Sequence, residues 1–378
     1  MVPAEPKPRL RILGARGIPA SYGGFETFAQ DLALYLVARG WDVIVYCQDD
    51  GGEAVREETW RGIRLIHIPV RSEGAKGSIA FDWKSTWHAS REPDLVLNLG
   101  YNTALFFLIL RCRGVRNVVN FGGIDWTRRK WSLPVRVWFY VNHLFACWCS
   151  NHLVADHPRI QDFLESRPFV CPRKITMIPY GAEPVDGSDR DVLAKLGLVA
   201  DRYVFVIARS EPGHSLIDIM EAWSRREREE VLVVVGPYHP EKNRFHRRVM
   251  AAASDSVRFL GAVFDQQIVQ TLRAGARLYI HGHHHGGTNP SLVEALAASS
   301  AVLAHDNPFN RWVATEDAAE FFSGPDACAA ALDRLLTDDA RLEAMRKAAR
   351  ARFEAAFTQD IILGAYEELL RAWLPGGS

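Results

Sequence analysis

The chain is 378 residues long, with 48% hydrophobic and 24% charged residues, and its 45 Lys+Arg balance its 45 Asp+Glu to a net charge of zero. That length favours two domains, each large enough to bury its own core, and the composition is that of a soluble globular enzyme. With no surplus of positive charge, nothing global points to nucleic acid as a partner.

The first residues, MVPAEPKPRLR, are polar and proline-rich where a secretory signal needs an apolar core. LRILGA follows as a predicted strand, and a helix is expected from about Gly24 to Ala38. Between them lies GARGIPASYGGFETF, residues 14–28, with four glycines and a proline. Glycines at 23 and 24 carry no Cβ, and the helix start offers free N–H groups and a positive dipole end to an anion. The stretch lacks both the G-x-G-x-x-G of dinucleotide folds and the G-K-[ST] of a P-loop. A tight turn and a ligand-approach loop therefore both remain open, and in the second case neither Gly23 nor Gly24 tolerates a side chain.

Further strands are predicted at DVIVYC, GIRLIHI, LVLNLG, NVVNF, HLVAD and ITMIPYG. The longest apolar run, TALFFLIL, is too short to span a bilayer. From Trp126 to Cys149, WTRRKWSLPVRVWFYVNHLFACWC mixes Arg128, Arg129, Lys130 and Arg136 with four tryptophans. Two readings fit: an amphipathic surface for anionic lipid or a lipid-linked substrate, or a core helix with solvated flanks. The six cysteines are scattered without a C-x-x-C pair, which fits a reducing cytosol.

After a polar, turn-rich linker near residues 183–192 the strand pattern begins again with YVFVIA, VLVVVG, VRFLGA, LYIHG and AVLAHD. Alternating strands and helices imply parallel sheets covered by helices, and in such sheets ligands bind beyond the carboxyl ends of the strands. The loop after YVFVIA carries Arg209, whose planar fork suits a diphosphate; the alternative is a salt bridge to Glu211 or to the other domain. The loop after LYIHG reads HHHGGTNPSLVEALAAS, with a helix expected near Ser291 and Glu294 one turn in. Glu294 is either a partner for the helix dipole or an acceptor for ligand hydroxyls. His281, His283, His284 and His285 cluster here without a regular ligand spacing, so solvated or supporting histidines are expected rather than a metal. The remainder is helical to the end, with Ile361, Ile362, Tyr366, Leu369, Leu370 and Trp373 on one face.

Taken together, GARGIPASYGGFETF, NFGGIDWTRRKW, IPYGAE, ARSEP, HGHHHGGTNPSLVEALA and AHDNPFNR resemble glycosyltransferase family 4, the retaining GT-B enzymes, and within it the bacterial capsule and exopolysaccharide branch of rhamnosyltransferases. The resemblance implies an α/β GT-B fold, two Rossmann-like parallel-sheet domains facing a cleft with C-terminal helices packing across. Residues 1–183 would be the acceptor domain, 184–355 the donor domain, and 356–378 a helix returning towards the first. It also implies roles. Arg209 and Glu294 would be catalytic, the first neutralising the donor diphosphate and the second holding the nucleotide ribose. Gly23, Gly24, Glu26, His214, Gly287, Thr288, Asn289 and Ser291 would bind the donor, and Asp125, Trp126, Arg128 and Arg129 the acceptor.

Three positions depart from the family pattern: its first glutamate is here Gly286, the lysine after the arginine is Ser215, and an acidic residue facing the acceptor is Gly122. A deoxysugar donor, with fewer hydroxyls to hold, is consistent with Gly286. The expected activity is transfer of L-rhamnose from dTDP-L-rhamnose to a lipid-diphosphate-linked saccharide, without metal or other cofactor, at the cytoplasmic face of the membrane. The alternatives are a UDP- or GDP-hexose donor on the same fold, or a non-catalytic glycan-binding subunit.

Overall fold

A computed structural model describes residues 7–20, 23–72, 74–128 and 130–375. The chain divides into two compact units, residues 1–179 with 362–378, and residues 180–361.

In the first unit the elements run β1 (Arg9–Leu13), α1 (Gly24–Ala38), β2 (Asp42–Asp49), β3 (Arg56–Trp60), β4 (Ile63–Pro69), α2 (Gly74–Ala89), β5 (Leu95–Leu99), α3 (Phe107–Cys112), β6 (Asn117–Asn120), α4 (Leu133–Cys149), β7 (His152–Ala155), α5 (Pro158–Glu165) and β8 (Ile175–Met177). Its eight strands lie in the order β3-β4-β2-β1-β5-β6-β7-β8. All pairs are parallel except β3 with β4. The predicted apolar runs form the parallel strands because both faces of such a sheet are covered, so their residues can be apolar throughout. β3 was not predicted: REETW is polar and exposed, an edge strand turned back through Arg61 and Gly62, both at positive φ.

The second unit runs α6 (Arg190–Lys195), β9 (Tyr203–Ile207), α7 (Leu216–Trp223), β10 (Val231–Val235), α8 (Arg244–Ala251), β11 (Val257–Gly261), α9 (Gln266–Ala274), β12 (Leu278–His281), α10 (Pro290–Ala297), β13 (Val302–His305), α11 (Pro308–Ala318), β14 (Ala319–Phe322), α12 (Gly324–Leu335) and α13 (Asp339–Ala356). The strand order is β11-β10-β9-β12-β13-β14. Alternate strand residues feed two cores: Phe205, Val233 and Tyr279 pack with Leu292, Val293 and Leu296 of α10, while Val206, Val234 and Ile280 pack with Ile219, Met220 and Trp223 of α7. This division is the signature of a sheet wound on both faces.

The last helix, α14 (Gln359–Ala372), belongs from Ile362 onward to the first unit. There Tyr366 is buried, accepts a 2.8 Å hydrogen bond from Asn120 and lies 4.8 Å from the Phe28 ring, while Glu367 accepts from the Trp41 indole at 3.2 Å. The predicted apolar face on this helix is thus accounted for, except that Ile361 stays exposed.

Each sheet has one point where successive connections leave in opposite directions: between β1 and β5 in the first unit, and between β9 and β12 in the second. Loops diverge at such points and leave a crevice at the strands' carboxyl ends. The glycine stretch follows β1, Arg209 follows β9, and the histidine–glycine loop follows β12.

Candidate functional site

In the second unit the loops after β9 and β12 are tied into one surface. The His284 amide donates to the Gly213 carbonyl at 2.9 Å, and the Ser215 hydroxyl meets His284 Nε2 at 2.6 Å. A Cβ on Gly282 would stand 2.0 Å from the His214 carbonyl oxygen, so this glycine permits the close approach of the two loops. His246, buried on α8, receives the His239 amide on Nδ1 at 2.8 Å and bonds the Ser210 carbonyl through Nε2 at 3.0 Å, which fixes the chain beside Arg209. Arg209 itself is exposed, and among the described residues its guanidinium makes no ion pair, so the salt bridge to Glu211 that the sequence left open does not form. Its charge reaches His283, where it helps disfavour protonation.

The histidines stack instead of converging. His214 and His283 rings lie 4.1 Å apart, His283 and His281 4.4 Å at 13°, and His284 and His305 4.0 Å. Imidazole lone pairs lie in the ring plane, so stacked faces do not point nitrogens at a common centre. Among the described residues no group of three or more metal-ligating side chains is positioned to hold an ion. Burial pushes His281 down to about 3, His305 to about 4 and His283 well below the ordinary value, with the neighbouring positive charges acting in the same direction. His214 Nδ1 donates to the Arg209 carbonyl at 2.7 Å. Neutral His214 therefore presents Nε2 as an acceptor and can donate to a phosphate only as imidazolium.

α10 begins at Pro290 with Asn289 as its cap, the side-chain oxygen accepting from the Ser291 amide at 3.0 Å. Ser291 Oγ lies 3.0 Å from both the Tyr279 hydroxyl and Arg273 Nη2. Gly287 and Thr288, both buried, complete the turn. The side-chain atoms of Asn289 and Ser291 thus hold the loop, leaving backbone and dipole as what this helix start offers an anion. Glu294 lies 2.5 Å from Arg273, a residue sequence reasoning missed. At the end of an amphipathic helix Arg273 reads as solvated, yet it is 3% exposed, and its Nε and Nη1 have no partner among the described residues. Glu294 is neither a bare dipole partner nor a lone acceptor: a buried cation holds one oxygen in place.

At the departures from the family pattern, Ser215 sits at φ 48° and Gly286 at φ 149°. A Cβ at position 286 would meet no protein atom within 4 Å, but a side chain there would be forced into backbone that L-residues rarely adopt.

In the first unit, Glu26 Oε1 accepts from the Arg16 amide at 3.0 Å, and Gln30 Oε1 from the Ala20 amide at 2.9 Å, so helix α1 reaches back to hold the glycine loop. Gly23 sits at φ 116°, backbone that L-residues rarely adopt, and a Cβ there would fall 1.9 Å from Glu26 Oε2, so the carboxylate that holds the Arg16 amide would have to move. At Gly24 a Cβ meets nothing within 4 Å, because this residue sits in helical backbone facing open space, so any need for glycine there comes from a ligand and not from the fold. The fold therefore demands glycine at 23 and not at 24. Phe25 lies over Gly100 and Gly122, 3.2 Å and 3.5 Å from the positions their Cβ atoms would take. The place of the missing acidic residue is thus beside an aromatic edge.

Asp125 pairs with Arg128 at 3.1 Å, and its amide donates to the Tyr101 hydroxyl at 2.8 Å. Trp126 packs at 5.3 Å from Tyr140 and 6.1 Å from His143, with its buried indole nitrogen unpartnered among the described residues. Asp125 and Arg128 are brought together, whereas Trp126 packs against α4; Arg129 lies outside the described residues.

Residues 192–352 match the family described as Glycosyl transferases group 1, and residues 8–183 match a domain of unknown function, DUF1972. No curated protein sequence matches the chain. Among solved structures, sucrose-phosphate synthase from Thermosynechococcus elongatus is similar with a TM-score of 0.79 and 17% identity, over 97% of this chain and 98% of that one. HepE from Anabaena in complex with UDP follows at 0.74 and 15%, over 97% and 100%. A glycosyltransferase from Rickettsia africae gives 0.72 and 15%, over 98% and 100%. The fold these define is GT-B, two α/β domains built on mainly parallel sheets with a helical C-terminal part. More particularly, residues 192–352 are similar to the glycosyl transferases group 1 family.

Proposed function

We propose that the protein is a retaining glycosyltransferase that moves L-rhamnose from dTDP-L-rhamnose to a lipid-diphosphate-linked saccharide. The observation that carries the donor half is the surface at the β9/β12 switch point, where exposed Arg209 and the start of α10 present positive charge from two interlocked loops. Both complement a diphosphate, and both gain strength as it departs with a full charge. Glu294, oriented by Arg273, accepts the ribose hydroxyls. In this reading the departing phosphate oxygen takes the acceptor proton on the face where the new bond forms, and positive charge comes from Arg209 and the helix start without metal. The choice of rhamnose rests on Gly286, which leaves no carboxylate for a sugar hydroxyl.

The lipid half of the reading draws on an exposed apolar surface of the first unit. Ile79, Trp83 and Trp87 recur every four residues on α2, and Leu133, Val137, Tyr140, Val141 and Trp148 lie along α4, all exposed. Arg113 stacks on Trp87, Arg111 on Trp148 and Lys130 on Trp131. Aromatics rimmed with cations suit the interface of an anionic bilayer. Among the described residues no helix is long and apolar enough to cross a membrane.

The donor is tested by thermal stabilisation with dTDP-L-rhamnose, UDP-glucose and GDP-mannose. The expected result is the largest shift with dTDP-L-rhamnose, and a loss of most of it in Arg209→Ala. A preference for UDP-glucose or GDP-mannose removes the rhamnose assignment, and an unchanged shift in Arg209→Ala removes the arginine's role.

A further inference from the structure

At the β1/β5 switch point of the first unit lies a small pocket of about 40 Å³, lined in part by Asp82, Thr86, Asn98, Asn102 and Thr103. None of these belongs to the motifs that carry the family resemblance. β5 reads LVLNL and is buried throughout, so a polar residue at 98 is anomalous in a central strand. Asn98 is 2% exposed, and its Nδ2 donor has no partner among the described residues. A buried donor left without an acceptor loses its bond to water and gains none in return. Asp82, reaching in from α2, receives the Thr103 hydroxyl on Oδ2 at 2.8 Å, while its Oδ1 makes no hydrogen bond among the described residues. One wall of the pocket thus offers an idle donor and another an idle acceptor. Arg16 of the glycine loop lends its charge to the same carboxylate, and Tyr101, two residues before Thr103, holds Asp125.

We propose that this pocket receives one hydroxyl-bearing arm of a polyhydroxylated acceptor, with Asn98 Nδ2 donating to the hydroxyl oxygen and Asp82 Oδ1 accepting its proton in a hydrogen bond. The proposal rests on the glycosyltransferase reading for calling the ligand an acceptor. Size sets the limit: at about 10–15 Å³ per water on this measure, the pocket holds two to four waters or a hydroxymethyl group, and it excludes a sugar ring. The ring must sit outside, with a single arm inserted. A hydroxyl is both donor and acceptor, so one group satisfies both idle partners. A carboxylate ligand is disfavoured by Asp82, and an apolar one leaves both groups unpaired.

The test uses the full chain and three soluble probes: methyl α-D-glucopyranoside, methyl α-D-mannopyranoside and methyl α-L-rhamnopyranoside. Saturation-transfer NMR reads their binding to the wild type, Asp82→Asn and Asn98→Ala. Far-UV circular dichroism and a cooperative thermal melt report that each variant is folded, and stabilisation by nucleotide sugars is read separately. The expected result is that at least one glycoside binds the wild type and that both variants weaken it at least tenfold. If Asn98→Ala does not fold, the near-isosteric Asp82→Asn carries the test alone. Binding of no glycoside to the wild type, or equal binding to the folded variants, overturns the proposal and leaves a pocket for water only. Loss of glycoside binding in the variants with no nucleotide-sugar stabilisation of any protein would uphold the pocket and remove the transferase reading.

Discussion

Asp82 illustrates how a single side chain reports on its own use. Desolvation raises its carboxyl to about 6, against the opposing effects of Thr103 and Arg16. Unfolded, the group titrates near 3.9. Between those values the folded state holds the extra proton, so the charge costs stability as pH rises through the window and the penalty is constant above it. Asp82→Asn should therefore melt higher than the wild type at pH 7 by about 1–2 kcal/mol, allowing for solvent reaching the pocket, with the two converging below pH 4. Thermal melts at both pH values check this. The adjacent glycines give a second contrast. Gly23→Ala should cost about 1–2 kcal/mol through its backbone and the clash with Glu26, whereas Gly24→Ala should leave stability unchanged. If Gly24→Ala nevertheless cuts transfer, a ligand and not the fold requires that glycine; unchanged transfer returns the position to an ordinary helix start. Glu294→Ala is a poor probe, because it strands the buried Arg273 charge, and Glu294→Gln separates ribose contact from that loss.

At the scale of elements, the loop after β12 shows what the sequence made legible and what it hid. The run of histidines announced that something unusual follows LYIHG, and the positions of Arg209 and Glu294 beyond strand ends were readable from strand periodicity alone. Stacking was not readable, because it depends on the β9 loop passing within contact of Gly282. Its consequence is measurable. His281, His283 and His305 are held neutral by burial, with protonation depressed from the usual value near 6.5. The unfolded chain binds more protons below that value, so stability is fully present above about pH 6.5 and is lost as pH falls. The second unit should weaken by up to about 2 kcal/mol per histidine by pH 5, seen as a falling melting temperature and falling nucleotide stabilisation. Helix α4 was ambiguous in the sequence, and the structure divides it: Asn142, His143, Ala146 and Cys147 face inward while Leu133, Val137 and Tyr140 stay exposed. Leu133→Glu with Val137→Glu should abolish cosedimentation with vesicles containing phosphatidylglycerol; undiminished binding would place the membrane contact elsewhere. β3 was hidden for the opposite reason, since a polar edge strand carries no apolar alternation.

For the whole molecule, the architecture was the most legible feature, because strand and helix runs alternate twice along the chain and parallel sheets bury both faces of every central strand. The division into units falls at residues 179/180 and 361/362, and the return of α14 to the first unit depends on contacts such as Tyr366 with Asn120 that no local pattern encodes. The site was less legible. In the second unit the loops after β9 and β12 lie against each other, but the internal partners of the loop residues, Arg273, His246 and, in the first unit, Tyr101, are distant in sequence and lack a motif. Specificity depends on what these loops take up, and the most direct measurement is transfer itself. Purified protein incubated with nucleotide sugars and bacterial membrane lipids, read by mass spectrometry, should add a single deoxyhexose to a lipid-linked saccharide when dTDP-L-rhamnose is supplied. No mass increment from any nucleotide sugar on any lipid-linked acceptor would contradict the account.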